Sequence, residues 1–267
     1  MGAARGPLRD LTGDNGVRRP AVPDQRTVAT VAQQPTSGPA PAPRDFGPVD
    51  AAIDPVAAAD PRERDFLRTV GPWRPWTLAE ARAELASFDG PWWVCGGVAV
   101  EAFTGVARHH EDVDVAFFTR DLPSLRAALA PRYDLWSVGS HLFRLLDDVN
   151  PTLHEQSEQV WVRAHAWSPW RADLLATADA DGAWVDKREP SLVRPLEDAT
   201  WVSTDGPDAG VRYLRPELAL AMKARLDRPK DRADLAAALP LLGDDARGWL
   251  RDAVRRRHPE HPWLARL

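Results

Sequence analysis

The chain has a single cysteine, Cys95, so it can form no internal disulfide and no cysteine-rich zinc site. It has no apolar run long enough for a transmembrane helix. Its first residues, MGAARGPLRDLTGDNG, lack the apolar middle of a signal peptide, and Gly6 stands where a myristoylation signal needs Ser or Thr. Positive charge is also short: 34 Lys and Arg against 39 Asp and Glu give a formal net charge of −5. That balance argues against a broad basic surface for nucleic acid, while leaving room for a local cationic pocket around a nucleotide. A soluble cytoplasmic protein with no membrane partner is expected.

What the 267 residues do contain is 44% hydrophobic residues, enough for a true core. They are unevenly spread. Residues 1–60 are rich in Pro, Ala, Gly, Asp and Arg, include Pro-Ala-Pro-Ala-Pro at 39–43, and hold almost no large apolar side chain. Such a segment cannot bury enough surface to offset its ordering entropy, so a disordered tail with no function of its own is expected; a wrong start codon would look the same.

Residues 61–210 read as an α/β domain and 211–267 as a small helical one. A short helix is expected at Arg62–Arg68 and a longer one at Thr77–Ser87, with Thr77 as N-cap and Leu78, Ala81 and Leu85 at helical spacing. Trp92–Cys95 reads as a buried strand that Gly96-Gly97 ends, before a helix from Val98 to Phe103. Strands are expected at Val113–Phe118, Tyr133–Val138, His141–Leu146, Val160–Ala166 and Arg171–Ala176, with edge strands at Ala183–Val185 and Leu192–Pro195 and a helix at Leu122–Leu129. Glu217–Leu226, Asp231–Leu239 and Asp244–Arg257 read as three further helices, the first opened by Pro216.

Two short patterns carry chemistry. In Asp112-Val113-Asp114, read on a strand, the two carboxylates share a face about 6.6 Å apart. They repel unless a cation sits between them, and Mg²⁺ prefers such oxygen donors while keeping places for water or phosphate. A pair of such ions suits in-line displacement at phosphorus. Alone, the pattern more often marks an exposed strand end. Gly96-Gly97, between strand and helix, presents backbone N–H groups at a helix N-terminus with no Cβ in the way of a triphosphate. Alone, it is a tight turn.

Cys95-Gly96-Gly97-Val98-Ala99-Val100-Glu101, then Gly105, Arg108, His110 and Asp112-Val113-Asp114-Val115, resemble the signature of nucleotidyltransferases of the DNA-polymerase-β type, in particular the aminoglycoside and lincosamide nucleotidyltransferases. The resemblance implies an α/β (α+β) nucleotidyltransferase fold, with a small mixed sheet flanked by helices and a C-terminal helical region. It implies that Asp112 and Asp114 hold Mg²⁺, in a pair of ions, and that Gly96, Gly97 and Arg108 meet the nucleoside triphosphate, ATP by expectation. The third carboxylate of that family corresponds to Asp173 in Trp170-Arg171-Ala172-Asp173-Leu174-Leu175, as metal ligand or as general base; the other reading is an edge-strand acid facing water. Glu101 and His110 read as supporting residues that hold the loop, although each also passes as an ordinary polar residue. Lys223 resembles the family's phosphate-side helix lysine, and Lys230 and Asp231 its Lys-Asp pair, for which an N-cap and a solvated base are the structural alternative.

Residues Arg255 to His258 suit a helix C-terminus, and the twelve tryptophans suit a core or a substrate cleft. The expected reaction is Mg²⁺-dependent transfer of AMP from ATP to a hydroxyl of a small molecule, such as an aminoglycoside-like antibiotic. A toxin modifying tRNA or protein, and a non-catalytic nucleotide-binding protein, are the alternatives.

Overall fold

The computed structural model describes residues 68–139, 142–155 and 157–267. The tail at 1–60 and residues 62–67 of the short helix expected after it lie outside the described residues.

Helix α1 (Leu78–Glu84) starts where the sequence says it should. The Thr77 hydroxyl accepts from the Glu80 N–H at 3.2 Å, and the Glu80 carboxylate accepts from the Thr77 N–H at 2.8 Å. Strand β1 (Trp92–Val94) runs into α2 (Gly96–Thr104), which Gly105 closes in a left-handed conformation. Then come β2 (Val115–Phe118), α3 (Leu122–Leu129), β3 (Asp134–Gly139), β4 (Leu142–Leu145), β5 (Gln159–Arg163) and β6 (Trp170–Thr177). Strands β7 (Asp179–Ala180), β8 (Ala183–Val185) and β9 (Val193–Arg194) form a separate small sheet. The chain continues through α4 (Leu196–Ala199), β10 (Thr200–Val202), β11 (Arg212–Leu214), α5 (Pro216–Ala224), α6 (Pro229–Ala238) and α7 (Asp244–Arg257).

A mixed sheet flanked by helices is as expected, but it is larger than the small sheet expected, with eight strands in the order β10-β11-β1-β2-β6-β5-β3-β4. Two pairings are parallel, β1 with β11 and β2 with β6. Strand β2 is buried along its whole length, as a central strand covered on both faces should be. Its Val115 and Phe117 join Ala172 and Leu174 of β6 in a cluster closed by Ala81 of α1 and Leu122, Leu125 and Leu129 of α3. Its Ala116 and Phe118, on the other face, join Leu218 and Leu220 of α5, Leu235 of α6 and Leu250 and Val254 of α7. The three C-terminal helices therefore share one core with the sheet.

Strands β10 and β11 were not expected. They are three residues each, separated by a polar turn through Asp205-Gly206-Pro207, and β11 completes the sheet beside β1. Among the described residues no helix is long and apolar enough to cross a membrane.

Candidate functional site

The site begins where β1 stops. Cys95 is the N-cap of α2, and no side chain caps that helix, so its first backbone N–H groups remain available to an anion. The glycines are thus the first residues of the helix and not the end of the strand. Gly96 has φ 64°, a backbone conformation that favours glycine. A Cβ there would lie 1.7 Å from Asp114 Oδ2, and one on Gly97 would lie 2.0 Å from Arg108 Nη2. The pair lets a carboxylate and a guanidinium lie directly on the backbone.

Asp112 and Asp114 precede β2, which starts at Val115 and not at Val113. The cause is the shortness of β1: Val94 pairs with Val115, and the chain then turns into α2. One further bond, from Cys95 N–H to the Asp114 carbonyl at 2.9 Å, fixes the backbone of Asp114. Asp112 is exposed.

Parallel pairing of Val115 with Leu174 sets Asp114, the residue before β2, near Asp173 of β6, the two strand axes being about 4.8 Å apart. Burial pushes the Asp114 carboxyl up to about 6, with the Asp112 charge adding to it. Burial pushes Asp173 up to about 8, with Asp114 and Asp112 adding to it. Asp112, though exposed at its surface, is raised by partial desolvation from the chain around it and by the Glu111 charge. Gln159 on β5 donates to Asp173 Oδ2 at 2.5 Å, while Oδ1 is buried and accepts no hydrogen bond. The Trp161 indole, opposite Asp173 in the β5–β6 register, also favours the charged carboxylate.

Among the described residues no three acidic, His or Cys side chains are gathered tightly enough to form a ready metal cage. The donor set nevertheless suits a hard cation: oxygen donors only, one orphaned buried oxygen, and carboxylates that disfavour one another's charge.

The remaining expected residues fall into two groups. Arg108, Glu101 and His110 fix the loop before Asp112. Arg108 reaches Asp234 with two bonds, at 2.8 and 3.0 Å, and Glu101 Oε2 meets the Arg108 N–H at 2.9 Å and His110 Nε2 at 2.7 Å. Lys223 is 8% exposed and lies between Asp231 at 3.3 Å and Asp234 at 3.0 Å, so its charge is already matched inside the fold. Asp231 is fully buried in the first turn of α6. It is not the N-cap, which is Arg228; its carboxylate reaches back to the Arg228 N–H at 3.1 Å.

Lys230 pairs with the exposed Glu111 at 3.1 Å, and with Arg228 it acts electrostatically on both Asp112 and Asp114. Arg228 was not expected as a site residue. Its signal in the sequence is its place next to Pro229-Lys230 at a helix start, which says nothing of the carboxylates it faces. Gln159 and Trp161 left no local signal; only strand pairing brings them to Asp173.

No family model matches the chain, and no curated protein matches it. Solved structures are similar at low identity. The solution structure of the antibiotic-resistance factor ANT(2'')-Ia shares 21% identity, covers 66% of this chain and 88% of that one, and has a TM-score of 0.44. A crystal structure of ANT(2'')-Ia in complex with adenylyl-2''-tobramycin gives 19% identity, 66% and 93% coverage, and a TM-score of 0.44. An antigenic nucleotidyltransferase-like protein from Paracoccidioides brasiliensis gives 15% identity, 67% and 86% coverage, and a TM-score of 0.38.

Proposed function

We propose that this protein is a Mg²⁺-dependent nucleotidyltransferase that moves a nucleoside monophosphate, AMP from ATP, onto a hydroxyl of a small molecule. The observation that carries the reading is the junction of three elements. The uncapped start of α2 touches Asp114 through Gly96, and Asp114 and Asp173 immediately precede the paired residues Val115 and Leu174.

The N–H groups of Gly96 and Gly97 receive the triphosphate, where the helix dipole adds to the attraction. Arg228 and Lys230, at the start of α6, balance its charge on the side of Asp112 and Asp114. Bound by Asp112 and Asp114, Mg²⁺ would supply charge neutralisation at the attacking oxygen and at the departing pyrophosphate. Asp173, one strand further from α2 than Asp114, has one of two roles: it completes that ligand set, the proton of the acceptor hydroxyl then passing to solvent, or it stays off the ion and takes that proton itself. That oxygen bonds to the α-phosphorus as the bond to the bridging oxygen breaks, and pyrophosphate leaves. Gln159 keeps the Asp173 carboxylate oriented throughout.

The test is pyrophosphate release with Mg²⁺ and each nucleoside triphosphate, against a panel of aminoglycosides, lincosamides, phosphorylated sugars and tRNA. Release is expected with ATP and one small-molecule class, and it should fall at least about 1000-fold in Asp114→Ala, as for loss of a group stabilising the transition state. Release that survives both Asp112→Ala and Asp114→Ala overturns the assignment.

A further inference from the structure

A second feature lies at the C-terminal ends of α5 and α7. The loop after β8, the C-terminal end of α5 and the end of α7 enclose a cavity of about 370 Å³. Its wall carries Lys187, Arg188, Arg225, Arg257 and His258, with Met222 as part of an apolar floor, and no carboxylate lines it. Two of these cations are balanced from outside the wall: Arg257 by Asp186 at 2.8 Å, and Lys187 by Glu158. Arg188 and Arg225 are exposed, and their side chains form no ion pair with any described residue. In a chain of net charge −5, two arginines without matching acids on one cavity wall mark a place for a bound anion.

The position of the cavity says which anion. Lys187 is tied to Glu158, the residue before Gln159, and Gln159 donates to Asp173. Lys187 is also a cation whose charge reaches Asp173. Arg228, Lys230 and Lys223 act on Asp114, at the nucleotide end of the carboxylate row. Cations therefore act on both ends of the row: Arg228, Lys230 and Lys223 on Asp114, and Lys187, from the cavity wall, on Asp173.

We propose that this cavity holds a compact oxyanion, a phosphate group, carried by the acceptor, so that the substrate is a phosphorylated hydroxyl compound and not a polycation. This rests on the nucleotidyltransferase reading for the role of the site, and on the cavity alone for anion binding. A polyamine acceptor placed there would meet Arg188 and Arg225 with nothing to offset them. A phosphate gains charge-assisted hydrogen bonds from both.

Calorimetric titration of the full chain, without nucleotide, tests the cavity with glucose 6-phosphate, inorganic phosphate and glucose as probes. Both phosphates are expected to bind and glucose is not. Glucose 6-phosphate should bind roughly tenfold or more weakly to Arg188→Glu/Arg225→Glu, and more weakly also to Arg188→Ala/Arg225→Ala, as for loss of two hydrogen bonds to charged groups. Affinity for MgATP should stay within about twofold, because neither arginine is at the donor end. Unchanged phosphate binding in both double variants overturns the cavity assignment. Tobramycin turnover that survives the charge reversal overturns the acceptor assignment. If MgATP fails to bind the native chain while the phosphate results hold, the transferase reading falls and the anion cavity stands.

Discussion

Gly96 and Gly105 have nearly the same backbone, with φ 64° and 68°, but very different surroundings. A Cβ on Gly105 meets nothing within 4 Å, whereas one on Gly96 collides with the Asp114 carboxylate. Gly105→Ala should cost only left-handed strain, about 1–2 kcal/mol in a urea titration, with pyrophosphate release retained. Gly96→Ala must push Asp114 aside, and a displacement of that size is expected to lower release about 100-fold or more. Equal effects of the two substitutions on release would contradict this placement. Asp227 illustrates a different dependence. Its carboxylate accepts from Arg232 Nε at 2.9 Å and from the Trp263 indole at 2.8 Å, and the Arg232 bond above all holds it down to about 2. Its folded value lies below the unfolded ~3.9, so its contribution is present above about pH 4 and is lost as pH falls toward 2. Melting temperature followed from pH 7 to pH 2 should show Asp227→Asn below the native chain at neutral pH, with the two converging in acid.

Helices α5 and α6 and the loop before β2 are joined by the chain Arg108–Asp234–Lys223–Asp231. Asp234→Ala strips a partner from both cations and is expected to cost about 1.5–3 kcal/mol, since Arg108 loses two charge-assisted bonds while Lys223 keeps Asp231. Lys223→Met removes the shared cation, but leaves Asp231 with Arg228 and Asp234 with Arg108, so chemical denaturation should show a smaller loss. If Lys223 is held for the fold, its removal changes stability more than MgATP affinity; the reverse order would return it to the phosphates. The same scale explains what the sequence could tell. The Thr77–Glu80 cap and the span of α7 were legible because their causes are local. Asp173 drew notice because a lone acid in an apolar strand needs a reason, and strand pairing brings it near Asp114. Strands β10 and β11 were not, since three residues give no period and β11 finds its partner β1 more than a hundred residues away. Arg228 and Gln159 reach the carboxylates only through tertiary packing, and the strand expected from Val113 starts two residues late because β1 has nothing further to offer it.

At the scale of the molecule, the crowded carboxylates link stability to cations and to pH. Asp114 at about 6 and Asp173 at about 8 both lie above their unfolded values, so each binds its proton more tightly in the folded state. Without metal, stability should therefore fall as pH rises from about 4 to about 8. Mn²⁺ or Mg²⁺ should raise the melting temperature more at pH 8 than at pH 5, and Asp114→Asn should blunt that difference. A rise of equal size at both pH values would argue against these residues as the ligands. The tryptophans add a way to watch this. Trp161 faces Asp173, and its ring meets Trp73 edge-on at 4.7 Å and Trp170 at 5.3 Å. Indoles that close share their excited states, so their near-ultraviolet circular dichroism depends on the charge and position of the carboxylate beside them. The third carboxylate thus has a chromophore built next to it, and its capture by a cation is expected to register in the protein's own near-ultraviolet circular dichroism, without any added dye.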